Sequence, residues 1–501
     1  MTPSQRILRN ALVVGASQPI SWTLTVLFTV IVARNVGPVE WGEWGIALAV
    51  GIVVRSLLDF GVNTMLLKEI PRRPEVAARY IGAVLGIRLG LAPIVIAAGL
   101  AFGLVVHYPQ HTMVVLSIVV ISLAVSYIES PVTFGLQAIE KMHISTLTGV
   151  ATGALTTIGS IVLVKFVGAG IIAVASLTLV ASLIGGTLQW VWLSRDIALK
   201  PIADFGLMRM LLRQSLPFWG SYLFFTIYVW IDGIMLSLMT PTREVGWYNV
   251  GVQVISSVGF LPYAVTTAVF PALSASYHND SATNLRLAAR SFRFLVALSL
   301  PMSAGLILVS QTLIAALYGP LFAPAALNVA ILALTLPPAF VATLVNAFVI
   351  AADGQARWTW LMGGVCVINP LLNLVTIPYF HHAVGNGAVG AGVALVITDS
   401  LTAVAAVRLV PPHMRVALVA ATPALGRALL ATGVMVCAVL PVRELFPAIP
   451  VVVGIAVFFV AALALNVFSR EEVQAIGGVF LRTVRRDRTL AVPAAEILSG
   501  S

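Results

Sequence analysis

Fourteen apolar segments of about bilayer-crossing length follow one another along the chain, separated by short connections. A helix needs about 20 apolar residues to cross the hydrocarbon core, and lipid offers no hydrogen-bond partners to irregular backbone. The sequence therefore predicts an all-α polytopic membrane protein with about fourteen transmembrane helices. The segments are 11–33, 44–67, 81–106, 113–136, 144–166, 170–193, 211–238, 247–273, 294–317, 325–351, 358–379, 389–409, 428–440 and 451–468.

Composition excludes most other classes of protein. Hydrophobic residues make up 59% of the chain and charged residues 10%, and the mean hydropathy of +1.01 does not suit a water-soluble domain. The net charge of +10 is explained by basic cytoplasmic loops and anionic lipid rather than by nucleic acid. Cys366 and Cys437 lie in separate apolar segments, which argues against a disulfide framework or a thiol metal site.

Basic residues predict the orientation of the chain. With both termini in the cytoplasm, most of the 29 Lys and Arg residues fall on the cytoplasmic side, as the positive-inside rule requires. The first apolar segment lacks a small-residue cleavage site, so we interpret it as a membrane span rather than a cleaved signal. An even number of spans fits two termini on the same side.

An internal repeat relates the two halves of the chain at an offset of 204 residues. Gly37-Pro-Val-Glu-Trp-Gly-Glu-Trp44 aligns with Pro241-Thr-Arg-Glu-Val-Gly-Trp-Tyr248, so that a glutamate and a glycine match. Chance similarity between apolar helices is the alternative, but the matches are turn residues and a charge rather than Leu or Val. A step of six spans restores orientation, which predicts two parallel six-helix repeats around a central cleft.

The repeat divides the chain into four predicted parts. An N-terminal lobe of helices 1–6 covers residues 1–200, and a C-terminal lobe of helices 7–12 covers 201–410. Two extra helices occupy 411–470, and 471–501 form a basic cytoplasmic tail.

Polar residues interrupt the second apolar segment at a helical spacing. Gly51, Arg55, Asp59 and Asn63 follow one another at intervals of four, which in a single helix gives one narrow polar stripe. A charge at mid-membrane depth costs roughly 2.5–3.5 kcal/mol even on insertion scales, so the stripe should face a bundle interior or a wet cavity. Arg88 lies about as deep in the next span, which predicts a cluster of Arg55, Asp59 and Arg88.

This cluster carries two cations and one anion, and two interpretations remain open. A guanidinium fork suits phosphate oxygens, so Arg55 and Arg88, with Asn63, are candidate ligands for a diphosphate group. The alternative is a structural ion network that ties helices two and three together. At the 204-residue offset Gly259 and Tyr263 stand opposite Arg55 and Asp59, so the repeat does not extend to this chemistry.

Further acids inside the spans are candidate ion-pair or coupling residues, together with Asp59. Glu129 belongs to a stripe with Ser122, Ser126 and Thr133, and it could pair with Arg88, carry a proton, or merely cap a break beside Pro131. Asp232 and Asp399 lie in the second half, and Asp399 is near the middle of its span. The coupling ion would be a proton or sodium, and the sequence predicts no cofactor.

Two prolines inside spans, Pro217 and Pro262, are candidate hinges, because a proline in a membrane helix frees a backbone carbonyl. The pairs His107/His111 and His381/His382 have metal-like spacing but no companion acids or thiols in the sequence pattern, so no metal site is predicted. The chain has no phosphate loop, nucleophile motif or metal triad, and so no catalytic residue is assigned.

Several short motifs resemble those of one family. The segment 37–44 resembles the first outer turn of the oligosaccharide flippases of the multidrug/oligosaccharidyl-lipid/polysaccharide superfamily, and 57–63 resembles the segment that follows it. Leu216-Pro-Phe218, Ile231-Asp-Gly233, Glu244-Val-Gly-Trp-Tyr248, Phe270-Pro-Ala-Leu273 and Asn369-Pro-Leu-Leu-Asn-Leu374 are similar to signatures of the seventh, eighth and eleventh helices. The resemblance covers about 6–410 in the right order and spacing.

The resemblance implies a function and a location. It implies a flippase of the bacterial inner membrane that moves undecaprenyl-diphosphate-linked sugar repeat units to the periplasmic leaflet by alternating access. These units would serve O-antigen, exopolysaccharide or capsule synthesis. The expected partners are this lipid-linked substrate, membrane lipid, a polysaccharide polymerase and its chain-length machinery. The identity of the sugar does not follow.

Three other functions stay open. A multidrug and toxin extrusion exporter has a similar scaffold but should carry unpaired acids, whereas here Arg55 and Arg88 outnumber Asp59. A peptidoglycan-precursor flippase would also have fourteen helices. A membrane glycosyltransferase or polymerase would need a sizeable extramembrane domain, which the short connections leave no room for.

Overall fold

The computed structural model describes residues 3–279, 281–412, 415 and 422–468, and the predicted tail 471–501 lies outside them. This part of the chain forms sixteen α-helices and contains no strand. They are α1 Pro3–Leu57, α2 Val62–Glu69, α3 Ala77–Val106, α4 Gln110–Ala138, α5 Met142–Val162, α6 Ile171–Ser194, α7 Phe205–Met239, α8 Thr242–Val258, α9 Phe260–Asn279, α10 Ser281–Tyr318, α11 Ala325–Leu332, α12 Leu336–Ala351, α13 Gln355–Val384, α14 Gly387–Leu409, α15 Thr422–Val439 and α16 Ala448–Ala464.

Twelve helical segments among the described residues are long and apolar enough to cross a membrane. The first of them is broken at Gly37, whose φ of 82° and ψ of 174° are not helical, so α1 consists of two arms that correspond to the first two predicted spans. A positive φ suits glycine, and Pro38 follows it directly. The apolar helix α16 is shorter, with 17 residues. An all-helical membrane fold is therefore confirmed, whereas the number fourteen stays a prediction.

The predicted polar stripe of the second span does not lie on one helix. Helix α1 ends at Leu57, a turn follows, and α2 begins at Val62. Phe60 and Gly61 both have positive φ angles, of 54° and 65°, which interrupt the right-handed helix. Gly51 instead packs against the side chain of Leu123. The prediction of a continuous stripe was wrong, because sequence spacing did not reveal the left-handed turn.

The two halves meet through a reciprocal pair of glycine contacts, which we call the glycine seam. A Cβ atom on Gly42 would lie 2.1 Å from the carbonyl oxygen of Thr242, and one on Gly246 would lie 2.0 Å from the carbonyl oxygen of Pro38. The two contacts are equivalent in the repeat, because at an offset of 204 residues Pro38 corresponds to Thr242 and Gly42 corresponds to Gly246. The repeat is thus visible in the packing of α1 on α8, at the end predicted to face outward.

Equivalent glutamates support the seam in each half. An Oε2 atom of Glu40 accepts a hydrogen bond of 2.6 Å from the backbone N–H of Ile171, the first residue of α6. Glu244, 204 residues further on, accepts one of 2.6 Å from Gly387, the first residue of α14. Each carboxylate thereby meets unpaired backbone donors at the positive end of a helix dipole. The same turn residue fixes the last helix of each predicted lobe.

Candidate functional site

A cavity of about 310 Å³ lies beside the turn that joins α1 and α2. Its walls come mainly from the first half of the chain, and Tyr222 of α7 is the one contribution from the second half. The lining residues are Arg55, Asp59, Gly61, Asn63, Thr64, Tyr127, Ser130, Phe134 and Tyr222. Three residues of the predicted stripe therefore do share one cavity, although they lie on a helix end, a turn and a second short helix.

Arg88 and Asp59 form an ion pair behind the cavity wall. The Nη2 atom of Arg88 donates to Oδ1 of Asp59 at 3.0 Å, and the guanidinium carbon lies 3.9 Å from the centre of the Tyr127 ring. The Tyr127 hydroxyl donates to the carbonyl oxygen of Leu58 at 2.6 Å and so holds the turn in place. Arg88 has no exposed surface. In this conformation it positions Asp59 and does not itself line the cavity.

Arg55 differs from Arg88 in having no anionic partner. It lines the cavity, and no carboxylate of the described residues lies within ion-pair distance of its guanidinium. Its Nε atom is buried without a hydrogen-bond partner. Since Asp59 is taken by Arg88, the cavity keeps one uncompensated positive charge. A fork of free N–H donors in a partly buried space suits an anion with several oxygens.

Asn63 and the neighbouring aromatic residues complete the cavity. The side-chain amide of Asn63 donates to Oγ of Ser130 at 3.3 Å, while its Oδ1 atom is buried without a partner. The indole N–H of Trp219, on α7, donates to the carbonyl oxygen of Ser56 at 2.9 Å. The rings of Trp219 and Phe60 are 5.3 Å apart. The two halves are therefore in contact at the cavity as well as at the glycine seam.

Tyr127 was not among the predicted site residues, although it contacts Arg88 and the carbonyl oxygen of Leu58. Tyr127 is the only tyrosine of α4 and is 1% exposed. A lone tyrosine in the middle of an apolar span needs a hydrogen-bond partner, and this signal pointed to a polar neighbour. Its two contacts, however, come from residues 69 and 39 positions away and could not be read from spacing.

The second half holds acids without cations. Asp232 is 1% exposed and accepts hydrogen bonds from the Tyr248 hydroxyl at 2.7 Å and from the Asn373 amide at 2.6 Å. Asn373 also donates to Asn369 at 3.0 Å. Neither Asp232 nor Asp399 has a basic partner in the part of the chain that the structure describes.

A second cavity, of about 560 Å³, contains Asp399. The carboxylate of Asp399 accepts a hydrogen bond from the Tyr228 hydroxyl, and both residues line this cavity with apolar and hydroxyl side chains of α9, α12 and α13. Tyr228 is one helical turn from Asp232 on α7. Asp232 and the tyrosine that bonds Asp399 therefore lie on the same helix, and the cavity offers a carboxyl group without a basic partner among the described residues.

Glu129 lies away from these groups. Its carboxylate packs against Gly186 of α6, where an added Cβ would come within 1.7 Å of Oε1. On the same stripe Ser122 bonds Ser182 at 3.2 Å and Thr133 donates to Gln189 at 2.7 Å. The stripe thus joins α4 to α6, and the proposed pairing of Glu129 with Arg88 is wrong, because Arg88 is held by Asp59.

The two candidate hinges lie in different settings. Pro217 is inside the continuous helix α7. Helix α8 ends at Val258, Gly259 follows, and Pro262 stands in the first turn of α9, where a missing backbone N–H breaks no helical bond. The predicted single span 247–273 is therefore two helices, and a hinge role for either proline stays a prediction.

One histidine of each pair, His111 and His381, contacts a glutamate. His111 lies 2.6 Å from a carboxylate oxygen of Glu43, and His381 lies 2.9 Å from one of Glu244. The sequence analysis missed these partners, although both glutamates belong to the repeated turns. No group of three or more His, Cys, Asp or Glu side chains among the described residues could hold a metal ion.

Comparisons with known proteins identify the family. A family model described as "Polysaccharide biosynthesis protein" matches residues 7–276, more than half of the chain. Comparison with curated proteins gives no match.

Solved structures share the fold at low sequence identity. The chain is similar to "Lipid II flippase MurJ, inward closed conformation", with a TM-score of 0.70 and 14% identity over 90% of this chain and 98% of that one. An inward-facing multidrug resistance MATE family transporter of the MOP superfamily gives a TM-score of 0.63 and 14% identity, covering 77% and 92% of the two chains. A MATE protein in complex with MaD3S gives 0.52 and 14%, covering 81% and 95%. The chain belongs to the polysaccharide biosynthesis protein family and has the fold of the flippases and transporters of the MOP superfamily.

Proposed function

We propose that the protein is a flippase for undecaprenyl-diphosphate-linked oligosaccharide repeat units, moving them from the cytoplasmic to the periplasmic leaflet. The observation that carries this proposal is Arg55, an unpaired guanidinium in a cavity that touches both halves of the chain. A partly buried charge without a partner is costly, and an arriving diphosphate would compensate it. The family match to polysaccharide biosynthesis proteins supports a substrate that carries sugar.

The other residues of the cavity have separate roles in this proposal. Arg55 binds the diphosphate, and the buried Oδ1 of Asn63 accepts from a sugar hydroxyl next to it. Arg88, assigned from the sequence as a second phosphate ligand, holds Asp59 instead and keeps the turn in shape. The predicted phosphate contact of Arg88 would require Asp59 to move away from it during transport.

The position of the contacts between the two halves supports alternating access as the mechanism. The glycine seam closes the end predicted to face outward, while the cavity lies near the end predicted to face the cytoplasm. Rocking of the halves, with Pro217 and Pro262 as hinges, would open the seam and expose the head group outward. A proton or sodium ion at Asp232 and Asp399 would drive the return.

We place the protein in the bacterial inner membrane with both termini in the cytoplasm. The twelve apolar helical segments found among the described residues support a multi-pass membrane location. Its expected partners are the lipid-linked substrate, membrane lipid, and the polymerase and chain-length machinery that use the delivered units. Nucleic acid is not among them.

Replacement of Arg55 tests the proposal. In proteoliposomes that contain a polyprenyl-diphosphate oligosaccharide, Arg55→Ala should lower substrate binding and flipping at least about tenfold, since a charge-assisted bidentate contact is worth about 1.5–3 kcal/mol. Arg55→Lys should retain part of the activity. Arg72→Ala, which removes an exposed arginine with a surface partner, is the matched control. Full binding by a properly folded Arg55→Ala protein would reject the proposal.

An exporter of organic cations is the second candidate, and the acids of the second half favour it. Asp399 lies in a cavity of about 560 Å³ without a basic partner among the described residues. If cations were the substrate, Asp399→Asn would abolish their transport, and Arg55→Ala would leave it unchanged. A peptidoglycan-precursor flippase would share the Arg55 dependence, and it is distinguished by offering both lipid-linked substrates to the same vesicles.

A further inference from the structure

A groove of about 1040 Å³ runs between α3 and α7, on the surface next to the candidate site. On the α3 side it is lined by Gly86, Ile87 and the segment 89–91, and on the α7 side by apolar residues one turn apart from Phe205 to Leu216. Every lining side chain is apolar except Arg209 and Arg213. A surface of this kind in a membrane protein suits a hydrocarbon chain.

The floor of this groove is held firmly in place. The segment 201–203, just before α7, packs on α3: the backbone N–H of Ile202 donates to the carbonyl oxygen of Gly82 at 2.9 Å, and a Cβ on Gly86 would lie 2.7 Å from the Ile202 carbonyl oxygen. The next residue but one, Asp204, accepts a hydrogen bond of 2.8 Å from Arg79 of α3. The groove therefore has a fixed shape.

Arg209 and Arg213 give the groove a positive rim. Both are exposed, both line the groove, and neither has an ion-pair partner in the described ranges. Arg209 lies just before the predicted apolar segment 211–238 and Arg213 lies in its first turn, so both are at its predicted cytoplasmic end. This is the depth of lipid head groups, where a guanidinium meets phosphate.

One residue separates the groove from the candidate site. Phe60 lines the groove, whereas its neighbours Asp59 and Gly61 line the cavity that contains Arg55. On α3 the alternation is the same, because Ile87 lines the groove while Arg88 reaches Asp59. A lipid whose chain lies in the groove would have its head group within reach of the cavity.

We propose that this groove holds the polyprenyl chain of the transported lipid, with Arg209 and Arg213 receiving its diphosphate before Arg55 does. The inference rests on the proposed function. An apolar cavity also lies between α10, α15 and α16, but it measures about 270 Å³, has no charged lining residue and shares no residue with the site. The charged rim and the shared turn at Phe60 favour the groove between α3 and α7.

Gly90 allows the groove to be filled without disturbing the protein. It lines the groove, and a Cβ atom there would meet no protein atom within 4 Å. Gly90→Leu therefore places a side chain in the space assigned to the lipid. Gly364→Leu is the matched control, because Gly364 is also helical, equally free of neighbours, and lines none of the cavities described above.

The experiment compares two ligands on the purified full chain: a long polyprenyl diphosphate and geranyl diphosphate, which has the same head group and a short chain. Gly90→Leu should weaken binding of the long chain about tenfold through lost apolar burial and leave geranyl diphosphate unchanged. Arg209→Gln with Arg213→Gln should slow association of both ligands. The control Gly364→Leu should bind both as the original protein does.

Each other outcome counts against a defined claim. Unchanged long-chain binding by Gly90→Leu, with binding of both ligands lost in Arg55→Ala, would overturn the groove and leave the proposed function standing. If Gly90→Leu instead displaced only phosphatidylglycerol that co-purifies with the protein, the groove would be a site for bulk lipid and the inference would fall. If the original protein bound neither diphosphate, the proposed function would fail and the groove assignment with it.

Discussion

The two halves of this chain share a scaffold but differ in the ionisable groups that they hold inside the membrane. In the first half Arg88 pairs with Asp59 and Arg55 has no ion-pair partner among the described residues, so positive charge is in excess at the cavity there. In the second half Asp232 and Asp399 are bonded to tyrosine hydroxyls, and no basic side chain among the described residues pairs with them. The outer turns, by contrast, are equivalent in both halves.

The residues that join the two halves at the glycine seam are therefore not the residues that line the candidate binding sites. The contacts conserved between the halves, Gly42 on Thr242 and Gly246 on Pro38, join the halves to each other. Among the residues that differ, Arg55, Asp59 and Asp399 line cavities. An anionic head group in the first half and a coupling cation in the second would therefore use different sites on one rocking frame, and each site can be altered without the other.

The largest expected effect is on stability, from the buried charge of the first half. Arg88→Met leaves Asp59 without its partner and removes the contact with the Tyr127 ring, which should cost about 3–5 kcal/mol. Asp232→Asn in the second half should cost less, because it removes a charge and strands no counter-ion. The thermal unfolding midpoint in detergent measures both.

A double variant shows whether the ion pair is the cause. Arg88→Met with Asp59→Asn should be more stable than Arg88→Met alone, since no unpaired charge remains. If the double variant is as unstable as the sum of the two single changes, the two side chains are not coupled and the first half loses its distinguishing feature.

The second prediction separates binding from driving force. Asp399→Asn should reduce gradient-driven flipping about tenfold or more, as expected for an intramembrane coupling acid, while leaving polyprenyl-diphosphate binding unchanged. Arg55→Ala should have its primary effect on binding of the polyprenyl diphosphate, and flipping should fall because less substrate is bound. Binding and flipping are measured on the same vesicles with and without a proton or sodium gradient. Equal loss of both activities in both variants would remove the proposed division between the halves.

The sequence predicted the scaffold better than the site. The hydrophobic segments and the 204-residue offset depend on composition and on local residues, and the helical fold and the reciprocal seam agree with them. The offset predicted the outer turns correctly, because Glu40 and Gly42 recur as Glu244 and Gly246. At both glycines a backbone carbonyl lies so close that no larger residue fits.

The site could be predicted only in part, because its geometry depends on a turn and on distant partners. Arg55, Asp59 and Asn63 were found together, but the left-handed Phe60 and Gly61 that bring them to one cavity follow from tertiary packing. Similarly, spacing could not show that Asp399 would meet Tyr228, which is 171 residues away.

The third prediction tests the equivalence of the halves at the glycine seam. Gly42→Ala and Gly246→Ala should each destabilise the closed seam by about 1–3 kcal/mol, since each added methyl overlaps a backbone carbonyl. Asn249, which lies against Gly45 in this region, becomes a reporter as Asn249→Cys after Cys366 and Cys437 are replaced by serine. Maleimide should label it faster in both variants.

The control for the seam is Gly364→Ala, whose added methyl meets open space. It should leave the labelling rate unchanged. A faster rate in only one of the two seam variants would show that the halves are held by one contact and that the repeat does not extend to the mechanism.

The smallest expected effect concerns the two helix-capping glutamates, which are equivalent in position but not in surroundings. Glu40→Ala should cost about 1 kcal/mol, because it removes the acceptor for the first N–H of α6. Glu244→Ala should cost more, about 2 kcal/mol, since Glu244 is fully buried and also contacts His381. Thermal unfolding of the two variants, with exposed Glu75→Ala as control, measures the difference. A larger loss for Glu40→Ala would mean that burial and the histidine contact do not strengthen the second half, and that its cap is held by the helix dipole alone.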